Sequence, residues 1–124
     1  KVSRLNKFID NSIFSAEFFN TLYNKDKKKF YIYYNIYVKQ IAHLLNLLGI
    51  NINTVPVLDV RRKITNNVIG NRSFSSNPFQ VSKLGKICIN KFHENSIGTV
   101  VKHIPGHGLS RGRSYYSGRR CLPA

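Results

Sequence analysis

The chain is 124 residues long, which is enough for one small domain. Twenty Lys and Arg residues against five Asp and Glu residues give a formal net charge of +15, which by itself suggests a polyanionic partner such as nucleic acid or an anionic membrane. A lysine- and asparagine-rich proteome is the simpler explanation of the same charge. The two cysteines, Cys88 and Cys121, have neither zinc-ligand nor disulfide-framework spacing, so neither kind of site is indicated and a reducing, cytoplasmic setting is expected.

Two helices are predicted in the first half of the chain. Ser15 is placed to cap a short helix that would bury Phe18 and Leu22. Asp26 would cap a longer helix, and Gly49 would end it. Apolar residues recur along the longer helix at three- and four-residue steps, in one stripe: Phe30, Tyr34, Tyr37, Val38, Ile41, Leu44, Leu45 and Leu48. Such a stripe is typical of a helix that packs one face on a core.

The same helix allows a different interpretation. Residues 27–29 are lysines beside Tyr31, Tyr33 and Tyr34, which could form a basic aromatic surface for RNA or a membrane. Polar residues interrupt the helix too often for a membrane span. Aromatic residues at helical spacing more often belong to a core, and no nucleic-acid motif accompanies the charge. A small basic RNA- or membrane-surface-binding module is therefore the alternative function, and we expect no specific nucleic acid.

Two strands are predicted to end in polar side chains. The first, residues 51–58, is followed by Asp59 and by a loop that contains Arg72. The second, residues 98–101, is predicted to be buried and parallel, and it ends at Lys102 and His103, before Pro and Gly break regular structure. Between them Asn77 would cap a helix with Val81, Leu84, Cys88 and Phe92 on its inner face. In β/α folds, ligands bind at the carboxyl ends of the strands.

Three short motifs lie at these strand ends. They read Pro-Val-Leu-Asp-Val at residues 56–60, Ile-Gly-Asn-Arg-Ser-Phe at 69–74 and Lys-His-Ile-Pro-Gly-His-Gly at 102–108. In this order and spacing they closely resemble the N-terminal catalytic domain of family 3 glycoside hydrolases, and within it the bacterial β-N-acetylhexosaminidases. The resemblance covers residues 1 to about 108. It implies an α/β fold that is a fragment of a TIM (β/α)8 barrel, whose complete form needs roughly 250 residues.

The resemblance also implies a function. A full-length relative would hydrolyse terminal β-linked N-acetylglucosamine from cell-wall fragments, with retention through a glycosyl-enzyme intermediate and with neither metal nor organic cofactor. The implied partner is an amino-sugar or muropeptide-type carbohydrate. By resemblance, Arg72, Lys102 and His103 bind the sugar. Arg4 would contact it too, because residues 1–5 are similar to the family's Gly-Arg-Val-x-Arg-Leu segment; a solvated terminal arginine is the alternative.

Other polar residues near these motifs have competing interpretations. Asp59 could be a catalytic carboxylate at a strand end, but in the family it looks structural, accepting hydrogen bonds from loop amides, and that is our prediction. Arg72 could instead anchor its loop through a salt bridge. His103 and His107 have metal-ligand spacing, yet no Asp, Glu or Cys lies nearby in the sequence, so no metal site is predicted. His107 more simply orders the glycine turn.

The resemblance fails after Gly108. There the hexosaminidases carry a mobile loop with Asp-Ser-His, in which the histidine is the general acid and base. In this chain Arg113 falls at the position expected for Asp and Tyr115 at the position expected for His. With a pKa of about 10, a tyrosine is a poor proton shuttle at neutral pH. Residues 109–124 also contain no Lys, Asn or Ile, so a shifted reading frame or a spliced-on terminus would explain this divergent basic tail.

The sequence thus predicts a domain over residues 1–108 that holds part of a sugar subsite and no catalytic group. Retaining glycosidases need a carboxylate nucleophile, and in the family that Asp lies on a later strand, beyond Ala124. We expect the chain to be inactive alone, and a pseudoenzyme that binds sugar without turnover is a further possibility. Two parallel strands leave unpaired edges, so poor solubility or association, and a need for the rest of the barrel, are expected. The chain starts at Lys1 without a signal core, so we expect it to begin inside a longer protein.

Overall fold

The computed structural model describes residues 13–62, 69–104 and 106. Helix α1 spans Ala16–Lys25 and helix α2 spans Lys27–Leu47. Strand β1, Ile52–Asn53, is followed by a 3-10 turn at Gly70–Arg72, by helix α3 at Pro78–His93 and by strand β2 at Gly98–Thr99. The two strands pair in parallel, and α3 is the connection that brings the chain back from one strand to the other.

Each helix begins at a side chain that accepts a hydrogen bond from the first turn. The hydroxyl of Ser15 accepts from the amide of Phe18 at 3.1 Å, and the Asp26 carboxylate accepts from the amide of Lys29 at 3.0 Å. Asn77 does the same for the amide of Phe79 at 2.9 Å, with Pro78 in the first helical turn. These contacts satisfy amides that have no partner inside the helix. The three predicted N-caps are confirmed.

Helix α2 ends where the sequence predicts, at Gly49. This glycine has a φ of +70°, in the left-handed region that a residue with a Cβ rarely adopts. The amide of Ile50 donates to the carbonyl of Leu45 at 2.8 Å, and the amide of Gly49 donates to the carbonyl of Asn46 at 3.0 Å. This pair of bonds is the Schellman motif, which satisfies the last carbonyls of a helix.

The face that α1 buries differs from the prediction. The structure buries Phe19 and Tyr23, while Phe18 is 37% exposed and Leu22 is only partly buried. The rings of Phe19 and Tyr34 lie 4.8 Å apart, centroid to centroid, in an edge-on arrangement. Phe19 and Tyr23 are one turn apart on the same face, and the large aromatic surface of α2 selects that face. The prediction for Phe18 was therefore wrong by one residue.

Helices α2 and α3 use most of their predicted faces. Along α2 the predicted residues Phe30, Tyr34, Val38, Ile41 and Leu45 are buried, together with Ala42. Leu48 is exposed, contrary to prediction, because it caps the helix beyond the last turn that packs. The predicted inner face of α3 is confirmed, since Val81, Leu84, Cys88 and Phe92 are all buried. These faces form one hydrophobic core with α1.

The strand pairing contains one irregularity close to the predicted site. Ile52 pairs with Gly98 and Asn53 with Thr99, but the next bridge joins Val57 to Lys102. Val57 is four positions after Asn53, whereas Lys102 is only three positions after Thr99. The first strand therefore carries one extra residue, which is a β-bulge. Beyond it the amide of Leu58 donates to the carbonyl of Lys102 at 2.7 Å. The bulge therefore sets which residues of the two strand ends lie side by side.

Close packing of α3 also fixes the first strand end. A Cβ added at Gly85 would lie 2.5 Å from Cδ2 of Leu58, so a glycine lets the helix approach the chain just before Asp59.

The second strand is less buried than predicted. Val100 and Val101 are 47% and 36% exposed, because among residues 13–62, 69–104 and 106 this strand has one neighbour only. The association expected from such exposed strands stays a prediction. No helix in the described part of the chain is long and apolar enough to cross a membrane.

Candidate functional site

The centre of the candidate site is a contact between Asp59 and His103. Nδ1 of His103 lies 2.7 Å from Oδ2 of Asp59, and the main-chain amide of His103 donates to the same oxygen at 3.4 Å. The Asp59 side chain is 0% exposed and the His103 side chain 25% exposed. A buried carboxylate needs such donors to offset its lost hydration. Asp59 thus accepts a loop amide, as predicted, and in addition holds the imidazole.

A second set of hydrogen bonds anchors the loop that contains Arg72. The buried hydroxyl of Ser73 donates to the carbonyl of Asp59 at 2.6 Å and contacts that of Ser75 at 3.1 Å. The amide of Arg61 donates to the same Ser75 carbonyl at 3.1 Å. Ser73 therefore ties the loop directly to the residue that holds His103. This connection sets the position of the neighbouring Arg72.

Lys102 lies on the other side of this strand end. Its Nζ donates to the hydroxyl of Thr54 at 3.1 Å, and its main-chain amide donates to the carbonyl of Pro56 at 3.1 Å. Partial burial lowers the pKa of Lys102, and the positive charge of Arg72 lowers it further. The guanidinium is therefore close enough to affect the ammonium group. The peptide bond between Lys102 and His103 is cis.

The structure thus brings together the three sugar-binding candidates of the two strand ends. Arg72 and Lys102 supply fixed donors, while an imidazole can donate or accept. This combination suits a ligand with neighbouring hydroxyl groups, which both donate and accept hydrogen bonds. Their role in sugar binding stays a prediction, and the sequence patterns did not indicate the contributions of Thr54 and Ser73.

Several predicted features lie outside the described residues. These are the sugar contact of Arg4, the position of His107 and hence its metal-like spacing from His103, the departures at Arg113 and Tyr115, and the boundary between residues 108 and 109. Those interpretations stay predictions. Among the residues that the structure describes, no group of three or more His, Cys, Asp and Glu side chains is placed to hold a metal ion.

Part of the basic aromatic surface predicted on α2 is exposed in the structure. Tyr34 is buried in the core, but Tyr31 and Tyr33 are exposed, as are the lysines at residues 27–29. Tyr33 also lines an apolar groove between α1 and α2, with Phe14, Phe18, Phe19, Ile36, Tyr37, Gln40 and Ile41. A basic, partly aromatic face therefore accompanies the strand-end site at a different place on the chain.

Comparison with known proteins gives a family. The model of the glycosyl hydrolase family 3 N-terminal domain matches residues 25–120. Beta-hexosaminidase A of Pseudoalteromonas piscicida is 42% identical over 78 residues, which are 60% of this chain and 13% of that protein. Beta-hexosaminidase of Tolumonas auensis is 42% identical over 71 residues, 57% of this chain and 21% of that protein. The chain thus spans about a fifth or less of the length of these relatives.

Solved structures give the same answer for the fold. NagZ of Neisseria gonorrhoeae superposes with a TM-score of 0.71 at 28% identity, over 83% of this chain and 30% of that one. The same protein has been solved in complex with N-trifluoroacetyl-D-glucosamine. LpqI of Mycobacterium tuberculosis superposes with a TM-score of 0.70 at 26% identity, over 95% of this chain and 33% of that one. The neighbours carry an N-terminal TIM barrel, so the predicted fold class, a fragment of that barrel, is confirmed. The chain belongs to glycosyl hydrolase family 3 and corresponds to part of its N-terminal domain.

Proposed function

We propose that this chain supplies part of the amino-sugar subsite of a β-N-acetylhexosaminidase. The complete enzyme would remove terminal β-linked N-acetylglucosamine from cell-wall fragments of the muropeptide type, in the cytoplasm. The observation that carries the proposal is the placement of Lys102 and His103 at one strand end, with Arg72 close enough for its charge to lower the pKa of Lys102. A related protein bound to a glucosamine derivative supports the ligand class.

The chemistry of the three side chains suits a hydroxyl-rich ligand. The ammonium of Lys102 and the guanidinium of Arg72 only donate hydrogen bonds, and hydroxyl oxygens accept them. We propose that the chain binds sugar without hydrolysing it. Retaining glycosidases use two carboxyl groups about 5–5.5 Å apart, whereas the carboxylate at this strand end, Asp59, is buried against His103.

A titration with N-acetylglucosamine tests the proposal. In NMR spectra of the full chain, the sugar should shift the signals of Lys102 and His103, and glucose, which lacks the acetamido group, should bind more weakly. Lys102→Met should weaken binding about tenfold, the loss of roughly one charge-assisted hydrogen bond. Lys86→Met is the matched control, because Lys86 is an exposed lysine of α3.

Two results would count against this function. Equal weakening by Lys102→Met and Lys86→Met would show that only net charge matters. The absence of any shift at millimolar sugar would remove the subsite altogether. Separately, hydrolysis of a chromogenic N-acetylglucosaminide by the chain alone would contradict the proposal that it lacks turnover.

The basic face of α2 supports a second candidate, a module that binds RNA or a membrane surface. Tyr31 and Tyr33 are exposed beside the lysines at residues 27–29, and aromatic rings among cations can stack on bases. A salt titration separates the two candidates. Affinity for single-stranded RNA should fall steeply as salt rises if this face binds it, whereas the response of Lys102 to a neutral sugar should change little.

A further inference from the structure

One carboxylate oxygen controls both the backbone and the ring of His103. Oδ2 of Asp59 accepts from the main-chain amide at 3.4 Å and lies 2.7 Å from ring Nδ1. The chain then folds back over Asp59 at Gly106, where an added Cβ would be 3.4 Å from the other carboxylate oxygen. The Val57 to Lys102 bridge lies two residues before Asp59 and one residue before His103, so it holds the two strand ends side by side.

We propose that Asp59 is a positioning residue for the amino-sugar subsite, and that it fixes the tautomer in which His103 carries its proton on Nδ1. The proposal rests on the proposed function. An ionised carboxylate only accepts hydrogen bonds, so a 2.7 Å contact requires Nδ1 to be the donor. The hydrogen bond at one ring nitrogen decides which nitrogen of a neutral imidazole is protonated. The neutral ring of His103 therefore has its lone pair on Nε2.

This tautomer makes the two adjacent side chains complementary. Nζ of Lys102 can only donate, and Nε2 of the neutral His103 ring can only accept. A sugar hydroxyl both donates and accepts, so hydroxyl groups satisfy the pair better than a group that only accepts. The partial exposure of the His103 side chain, 25%, leaves the ring accessible at this strand end. Asp59 thus acts on ligand choice through His103, without contact with the sugar itself.

The tautomer can be measured directly in the full chain labelled with ¹⁵N-histidine. The nitrogen shifts of a neutral ring distinguish a protonated from an unprotonated nitrogen, and His103→Gln identifies the signals of His103 by their loss. We expect a protonated Nδ1 and an unprotonated Nε2, in the absence of any sugar. A neutral ring with its proton on Nε2 would overturn the proposal, whether or not any variant folds.

Two variants then separate positioning from a general structural effect. Asp59→Asn replaces the carboxylate by an amide that can itself donate to Nδ1, so the ratio of the two tautomers should change about tenfold and N-acetylglucosamine affinity should fall about tenfold. Ser73→Ala is the matched control. It removes a buried hydrogen bond to the main chain of Asp59 and leaves the carboxylate in place, so the tautomer should stay as in the wild type even where affinity changes through the neighbouring Arg72.

The outcomes distinguish this proposal from the proposed function. Sugar binding by a wild type whose ring carries its proton on Nε2 would overturn the positioning role alone. If His103 shows the expected tautomer but the chain does not respond to N-acetylglucosamine, the proposed function is overturned. The proposed effect of Asp59 on sugar binding is then overturned with it. An Asp59→Asn chain that keeps the wild-type tautomer and affinity, or a Ser73→Ala chain that loses the wild-type tautomer, would also overturn the role of Asp59.

Discussion

Raising the pH from 8 to 11 should destabilise the fold through Cys88, which is 3% exposed in the core. Burial raises the pKa of this thiol from its ordinary value of 9.0 to about 11, although a hydrogen bond with Tyr34 lowers it in part. The folded state therefore holds the proton more tightly than the unfolded state. The resulting stability is fully present below pH 9 and is lost as the pH rises to about 11.

The size of the effect follows from the two pKa values. A separation of about two units corresponds to roughly 3 kcal/mol of unfolding free energy, a large fraction of the total stability of a small domain. Burial also raises the pKa of Tyr34 and of Tyr37, whose ordinary value is 10.0. Their stabilisation is lost in the same direction, as the pH rises above 10. Alkaline unfolding is therefore expected even with Cys88 replaced, but with a shallower dependence on pH between 9 and 11.

The assay is urea unfolding, followed by far-ultraviolet circular dichroism at pH 8, 9, 10 and 11 with a reducing agent. Wild type and Cys88→Ala are compared in a background where Cys121 is also replaced by Ala, so that Cys88 is the one titrating thiol. Cys88→Ala costs stability at every pH but removes the titration, so the two unfolding free energies should converge by roughly 2 kcal/mol on going to pH 11, where the folded thiol is half ionised. Parallel curves would refute the burial of this thiol between α2 and α3.

Three further changes, one of them with a control substitution, test the helices and the site. Asn77→Ala removes the N-cap of α3 and should lower the free energy of unfolding by about 1 kcal/mol; no change in a urea titration would contradict the cap. Leu84→Ala, in the core, should cost about 2–5 kcal/mol, whereas Phe79→Ala, at a side chain 85% exposed, should stay within about 0.5 kcal/mol in the same assay. Arg72→Gln should raise the pKa of Lys102 towards 10.5, measured by NMR titration, because it removes a like charge; an unchanged pKa would place the two side chains apart.

Local interactions explain what could be predicted from the sequence. Each N-cap depends on a residue and the amides two or three positions later, so Ser15, Asp26 and Asn77 were identified without tertiary information. Gly49 is similar, because the left-handed end of α2 needs a residue without a Cβ. The inner face of α3 follows from its own periodicity. The motifs at the strand ends indicated the family, which the comparisons show.

Contacts between distant segments decided the rest. The sequence placed Phe18 rather than Phe19 in the core, because α1 alone does not determine which of its two aromatic faces meets the rings of α2. The hydrogen bond between Asp59 and His103 joins residues 44 positions apart. It depends on the register of the two strand ends beyond the bulge. A side chain at the end of a strand is visible in the sequence, but its partner is set by the register and packing of the whole chain.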